Sequence, residues 1–196
     1  MQDLKTNKFF DLSELKTPPI ELRKESTFDQ VDSAYLSHQL YCISGLNDVV
    51  RIPCEGEIFF LQTDKSFNAF TFLPWIAKRY FIQEIYASTY SIGTQVVEAL
   101  QEMQQKGQIN EVSLLISDSM IKRNPKTIEV LEAVIRHNPN FKVKYKWNHS
   151  KITLIKTEDF HIVLEGSGNW SKNAQIEQYV LLNNEQVYEF RKQIFL

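Results

Sequence analysis

The chain has 196 residues, 43% apolar and 23% charged, which suits a globular protein with one real core and a short appendage. A formal net charge of −2 argues against a molecule that is cationic as a whole. No stretch approaches the ~18 apolar residues of a membrane span, and Met1-Gln2-Asp3-Leu4-Lys5 lacks the apolar run of a signal peptide. A cytoplasmic protein with no membrane partner is therefore expected.

Residues 1–55 read as an N-terminal extension. Thr17-Pro18-Pro19 opens a polar stretch, Val31 to Ile43 has the pattern of a helix, and Pro53 and Gly56 punctuate a boundary. The expected domain, 56–196, begins with the short strand Ile58-Phe59-Phe60-Leu61. Phe67 to Arg79 is apolar at helical spacing, with Pro74 in a first turn or at a kink. Ile82 to Ser88 is a strand. Thr94 to Lys106 is a helix with Val96, Val97, Leu100 and Met103 on one face and Gly107 as its stop. Glu111 to Ser117 is a strand, and Pro125 to His137 is a helix opened by proline. A strand run then extends from Phe141 through Lys156, turns at Lys156 to Asp159, and returns as Phe160 to Leu164. Ile176 to Leu182 is the last strand and Glu185 to Gln193 the closing helix. Strands separated by helices predict an α/β fold, with a mixed, mostly parallel sheet covered by helices on both faces.

Charge is uneven along this pattern. Between Phe141 and Thr157 there are five lysines, at 142, 144, 146, 151 and 156, and no acid. Lys142, Lys144 and Lys146 share one face of their strand, either as a solvated face or as a basic approach to an anionic substrate. The same stretch contains His149-Ser150-Lys151, and the next strand ends in Gly166-Ser167-Gly168-Asn169. An imidazole and an ammonium two residues apart, with a hydroxyl and an amide at a neighbouring strand end, suit a phosphate. Imidazole can attack phosphorus while the other groups hold its oxygens. Cys42 and Cys54 lack zinc spacing and read as free thiols. His38, His137, His149 and His161 form no metal-ligand cluster with the carboxylates. No metal and no cofactor are implied. His161 reads as structural, His38 and His137 as surface residues, and Trp170 as packing.

His149-x-Lys151 followed by Gly166-Ser167-x-Asn169 resembles the signature of the phospholipase D superfamily, His-x-Lys-x4-Asp-x6-Gly-Ser-x-Asn. The resemblance covers roughly 57–193 in element order, and its sharp part runs from His149 to Asn169. The span from His149 to Gly166 is three residues longer than the pattern, and Lys156 stands where the pattern has aspartate. Asp159 lies at the right distance before Gly166, so a lengthened hairpin would let Asp159 fill that place. The resemblance implies a phospholipase D-like sandwich in which His149 attacks phosphorus to form a phosphohistidine. Lys151 and Asn169 would stabilise its oxygens, Ser167 would hold the phosphate or the residues around it, and Glu177 would orient the histidine.

The chemistry needs a second histidine to protonate the leaving oxygen. His38-Gln39-Leu40, His137-Asn138-Pro139 and His161-Ile162-Val163 do not supply another motif. The resemblance therefore implies a homodimer, with two copies of the motif meeting across a two-fold axis. It also points to a metal-independent phosphodiesterase acting on DNA or RNA, as single-motif members do. A non-catalytic or weakly catalytic nucleic-acid-binding member of the fold, or a phospholipase or phosphatidyl transferase, are the alternatives.

Overall fold

The computed structural model describes residues 51–63, 68–172 and 176–196. The expected Val31 to Ile43 helix and most of the N-terminal extension lie outside the described residues. The elements are β1 (Ile58–Gln62), α1 (Phe72–Ala77), β2 (Ile82–Thr89), α2 (Thr94–Gln105), β3 (Ile109–Ser117), α3 (Ser119–Arg123), α4 (Pro125–His137), β4 (Phe141–Lys146), β5 (Ile152–Lys156), β6 (His161–Gly166), β7 (Gln178–Asn183) and α5 (Glu185–Lys192). Short 3₁₀ turns, Ala69–Thr71 and Gln193–Phe195, precede α1 and follow α5. The residues just before 56 already join the fold: the Gly56 amide donates to Asn183 O at 3.0 Å, and Ile52 packs on the core.

The seven strands form one sheet in the order β1-β7-β6-β5-β2-β3-β4. The mixed α/β class is as expected, but the sheet is less parallel than expected. Only β2–β3 and β3–β4 pair in parallel, while β2–β5, β5–β6, β6–β7 and β7–β1 are antiparallel. Connection length explains the difference. Parallel neighbours need a crossover, and α2 and α4 provide one each. The β5–β6 connection is a four-residue loop, Thr157 to Phe160, which permits only a hairpin.

Both faces of the sheet are covered. On one, α1, α2 and α4 bury Phe70, Trp75, Val97, Leu100, Met103, Leu131 and Trp170 against Ile85, Ile155, Ile162 and Leu164. On the other, α5 buries Tyr188 against Leu115, Ile152, Leu154 and Val163. Strand alternation divides the residues: Ile152 and Leu154 face α5, and Ile155 faces the larger core. Local chemistry sets the helix ends. Gly107, at φ 66°, closes α2. Asn124 caps α4 by accepting from the Thr127 amide ahead of Pro125, and Asn184 caps α5 by accepting from the Val187 amide at 2.9 Å.

Two features place the residues of interest at one sheet edge. The first is the route from β4 to β5. These strands are not neighbours, so residues 147–151 cross the C-terminal ends of β3 and β2. The expected continuous strand through His149 is interrupted there because Asn148 turns its side chain into the sheet edge. Its Nδ2 donates to Ser88 Oγ at 2.9 Å, Leu115 O at 3.2 Å and Thr89 O at 3.4 Å. Its Oδ1 accepts from the Ser150 amide at 2.9 Å and the Ser150 hydroxyl at 2.7 Å. The second is the close approach of β6 and β7 at Gly166. A Cβ there would lie 2.6 Å from Tyr179 Cδ1 and closer still to the Gln178 carbonyl.

Two substitutions test these features by urea denaturation. Gly166→Ala should destabilise the fold by at least about 1–3 kcal/mol, the usual cost of forcing atoms into packed structure. Asn148→Ala should cost about 1–3 kcal/mol by stranding the polar groups it joins. A change below about 0.5 kcal/mol in the second case would show that the crossing loop is not pinned by this amide.

Candidate active site

The site is assembled at the edge formed by the C-terminal ends of β2, β3, β4 and β6 and the N-terminal ends of β5 and β7. Ligands bind at the carboxyl ends of parallel strands in open α/β sheets, where strand order switches. Here β2 is the switch, parallel to β3 on one side and antiparallel to β5 on the other.

His149 lies in the crossing loop and is exposed. Lys151 is the last residue before β5, and its carbonyl accepts from the Gly166 amide at 3.3 Å, so the two motif halves are locked side by side. Lys151 Nζ stands 3.4 Å from His149 Nδ1 and 3.1 Å from the His149 carbonyl. The imidazole packs at a tilt on Tyr90, with ring centroids 5.0 Å apart. Tyr90 in turn carries the Arg123 guanidinium 4.2 Å from its ring centroid.

The Gly-Ser-x-Asn turn is tied down from both sides. Fully buried Thr89, at the end of β2, donates its hydroxyl to Ser91 O at 2.8 Å and accepts from the Trp170 amide at 3.1 Å. The same hydroxyl lies 3.4 Å from Asn169 Oδ1, which turns the amide oxygen toward the fold and Nδ2 to the other side. Trp170 is core, 1% exposed, with its indole N–H bonded to Thr153 Oγ1 at 3.0 Å and its ring edge-on to Phe70. The Ser167 hydroxyl donates to Glu177 Oε2 and accepts from the Gln178 amide at 3.1 Å. Ser167 therefore fastens the turn to β7. Glu177, 8% exposed, has its carboxylate on Ser167 and makes no bond to His149 of its own chain.

The three strand lysines do not act as one patch. Lys146 ends β4 at the site edge, whereas Lys144 donates to the Phe195 and Leu196 carbonyls at 2.7 and 2.6 Å. Lys142 lies near the opposite end of β4, about 13 Å along the strand from Lys146.

The place that the pattern gives to aspartate is itself at the far end of the β5–β6 hairpin, and Asp159 lies at that end too. Asp159 is exposed in the β5–β6 turn, at the far end of both strands from His149, where Thr157 Oγ1 accepts from its amide. Lys156, at the pattern's aspartate position, lies opposite Glu84 on β2, with 3.9 Å between Nζ and Oε1. Burial raises the Glu84 carboxyl, but the Lys192 hydrogen bond at 2.8 Å and the charges of Lys192 and Lys156 outweigh it and hold the group below its usual value. The pair thus spans the position with reversed charge. His161 also lies at this far end, edge-on to Tyr188, and His137 closes α4 near the start of β4.

Tyr90, Arg123, Asn148 and Thr89 were not singled out by the sequence. The available signal was position: Tyr90 directly follows β2, and α3, which ends in Arg123, follows β3, so both come from the productive ends of parallel strands. Among the described residues, no three His, Cys, Asp or Glu side chains are grouped as metal ligands would be, and no helix is long and apolar enough to cross a membrane.

No protein-family model and no curated protein matches the sequence. Among solved structures, the chain is similar to the polyphosphate kinase of Porphyromonas gingivalis, with a TM-score of 0.53 at 16% identity. The match covers 70% of this chain and 25% of that one, so the chain spans about a quarter of the kinase's length. It also overlaps TrmBL2, an archaeal chromatin protein described as having a novel mode of DNA binding, with a TM-score of 0.48, 10% identity, and 81% and 56% of the two chains covered. The likeness shows that the seven-stranded mixed sheet between helices is a fold this chain shares with part of that kinase.

Proposed function

We propose that the protein is a metal-independent phosphodiesterase that cleaves DNA or RNA through a phosphohistidine, with its active site shared between two copies of the chain. The observation that supports this most is the convergence at one sheet edge of His149, Lys151 and the Gly-Ser-x-Asn turn, while the other described histidines lie at the opposite edge. The likeness to a polyphosphate kinase supports phosphorus chemistry on this fold.

In the proposed reaction His149 Nε2 attacks phosphorus and the bond to the leaving oxygen breaks. The second copy's His149 protonates that oxygen, then deprotonates the water that displaces the enzyme nitrogen. Lys151 and Asn169 Nδ2 stabilise the charge on the non-bridging oxygens. One chain does not complete this arrangement. An ammonium beside Nδ1 favours the tautomer with its proton on Nε2, whereas attack through Nε2 needs the opposite tautomer and an acceptor for Nδ1–H. Within a chain Glu177 makes no bond to His149, so the acceptor for Nδ1–H would come from the second copy.

Purified protein should cleave plasmid DNA or RNA in excess EDTA, and His149→Ala should lower the rate at least about a thousandfold while melting like the wild type. Loss of cleavage in EDTA, or an active alanine variant, would refute the covalent mechanism. Wild type inert on DNA and RNA but active on phosphatidylcholine would favour a phospholipase, and inertness on all three a binding protein. Light scattering during gel filtration should give the mass of two chains, and a strict monomer that remains active would remove the shared site.

A further inference from the structure

Arg123 is the residue at this edge whose placement the proposed chemistry leaves unexplained. It ends α3 and is exposed, yet three contacts hold it in place. Nη2 donates to the Tyr90 carbonyl and Nε to Ser119 Oγ, both at 3.3 Å, and the guanidinium lies over the Tyr90 ring. A surface arginine held only by its charge would stay mobile, because ordering a long side chain costs entropy that an exposed ion pair rarely repays. Stacking a planar guanidinium on an aromatic ring fixes its direction while its outer N–H groups remain available. Nη1 has no bond within the described structure.

Tyr90 also packs on His149. One ring therefore sets the relative positions of the nucleophile and the arginine. From the two contacts, the guanidinium and the imidazole are no more than about 9 Å apart, close enough for both to touch one short anionic chain. Around them lie Lys151, Lys146 and exposed Lys122, with Asp118 as the neighbouring acid and Glu177 turned to Ser167. A planar fork of N–H donors beside a cationic phosphate site matches a second phosphate better than a neutral group.

We infer that Arg123, held on Tyr90, forms a second phosphate subsite beside His149, so that the site takes a chain of linked phosphates in preference to an isolated one. This rests on the reading of His149 and Lys151 as a phosphate site, and it adds a specificity determinant outside the motif.

Titration calorimetry with orthophosphate and linear tripolyphosphate tests the inference, with the His149 ring resonances reporting where each anion binds. Wild type should bind tripolyphosphate at least about tenfold more tightly than orthophosphate. Arg123→Gln should reduce that preference to within about threefold while leaving orthophosphate binding little changed, Tyr90→Leu should reduce the preference as well, and Tyr90→Phe should retain it. Lys122→Gln removes the same charge one residue away and should also retain it. The subsite is refuted if wild type shows no preference, or if Lys122→Gln reduces it as much as Arg123→Gln, which would indicate a diffuse field. Orthophosphate that binds and shifts His149 in those cases leaves the primary site standing. If neither anion perturbs His149, the phosphate reading of the site falls together with the subsite. Matching thermal melts of the exposed Arg123→Gln variant and wild type exclude misfolding as the cause.

Discussion

The arrangement depends on one amide, that of Asn148, placed where the chain crosses two strand ends. After β4 the chain is at the edge of the sheet, yet its next partner is β2, with β3 in between. A crossing loop leaves backbone groups at strand ends without ladder partners, and these must be satisfied in some other way. The Asn148 side chain bonds to both strand ends beneath it and to the start of the next segment. His149 follows directly, so the position of the imidazole is inherited from the crossing. The hydroxyl of Thr89 performs the corresponding task for the turn on the other side, linking β2 to the amide of Trp170 and the side chain of Asn169.

Rigid supports of this kind suit chemistry at phosphorus. Charge stabilisation is effective when donors are already aimed before reaction, because no reorganisation is then needed. Here the groups that would touch a phosphate are partly exposed, while those that hold them, Thr89, Thr153, Trp170 and Glu177, are buried. The far end of the sheet carries a different network, Glu84 with Lys156 and Lys192, in which the charges satisfy one another.

Much of the fold was legible where periodicity is local. The apolar faces of α2 and α4, their glycine and proline boundaries, and the short buried strands appear close to where the sequence places them. Strand order was not legible, because β5 pairs with β2 across more than sixty residues and no local pattern records such a partner. The break between β4 and β5 was missed for a related reason. Alternation in Phe141 to Lys146 runs on smoothly into Ile152 to Lys156, and only the distant Ser88 and Leu115 show why Asn148 interrupts it. The motif itself was visible, since His149, Lys151, Ser167 and Asn169 lie close in sequence across one hairpin. Tyr90 and Arg123 come from other strands and carry no motif.

The lysines of β4 have an effect apart from any ligand. β4 is an outer strand, and an outer strand offers unpaired N–H and C=O groups on which another chain can grow a sheet. Lys142, Lys144 and Lys146 repeat along one side of it, so a second identical edge approaching in register would bring like charges together. Such charges make that border a poor template for strand-by-strand growth.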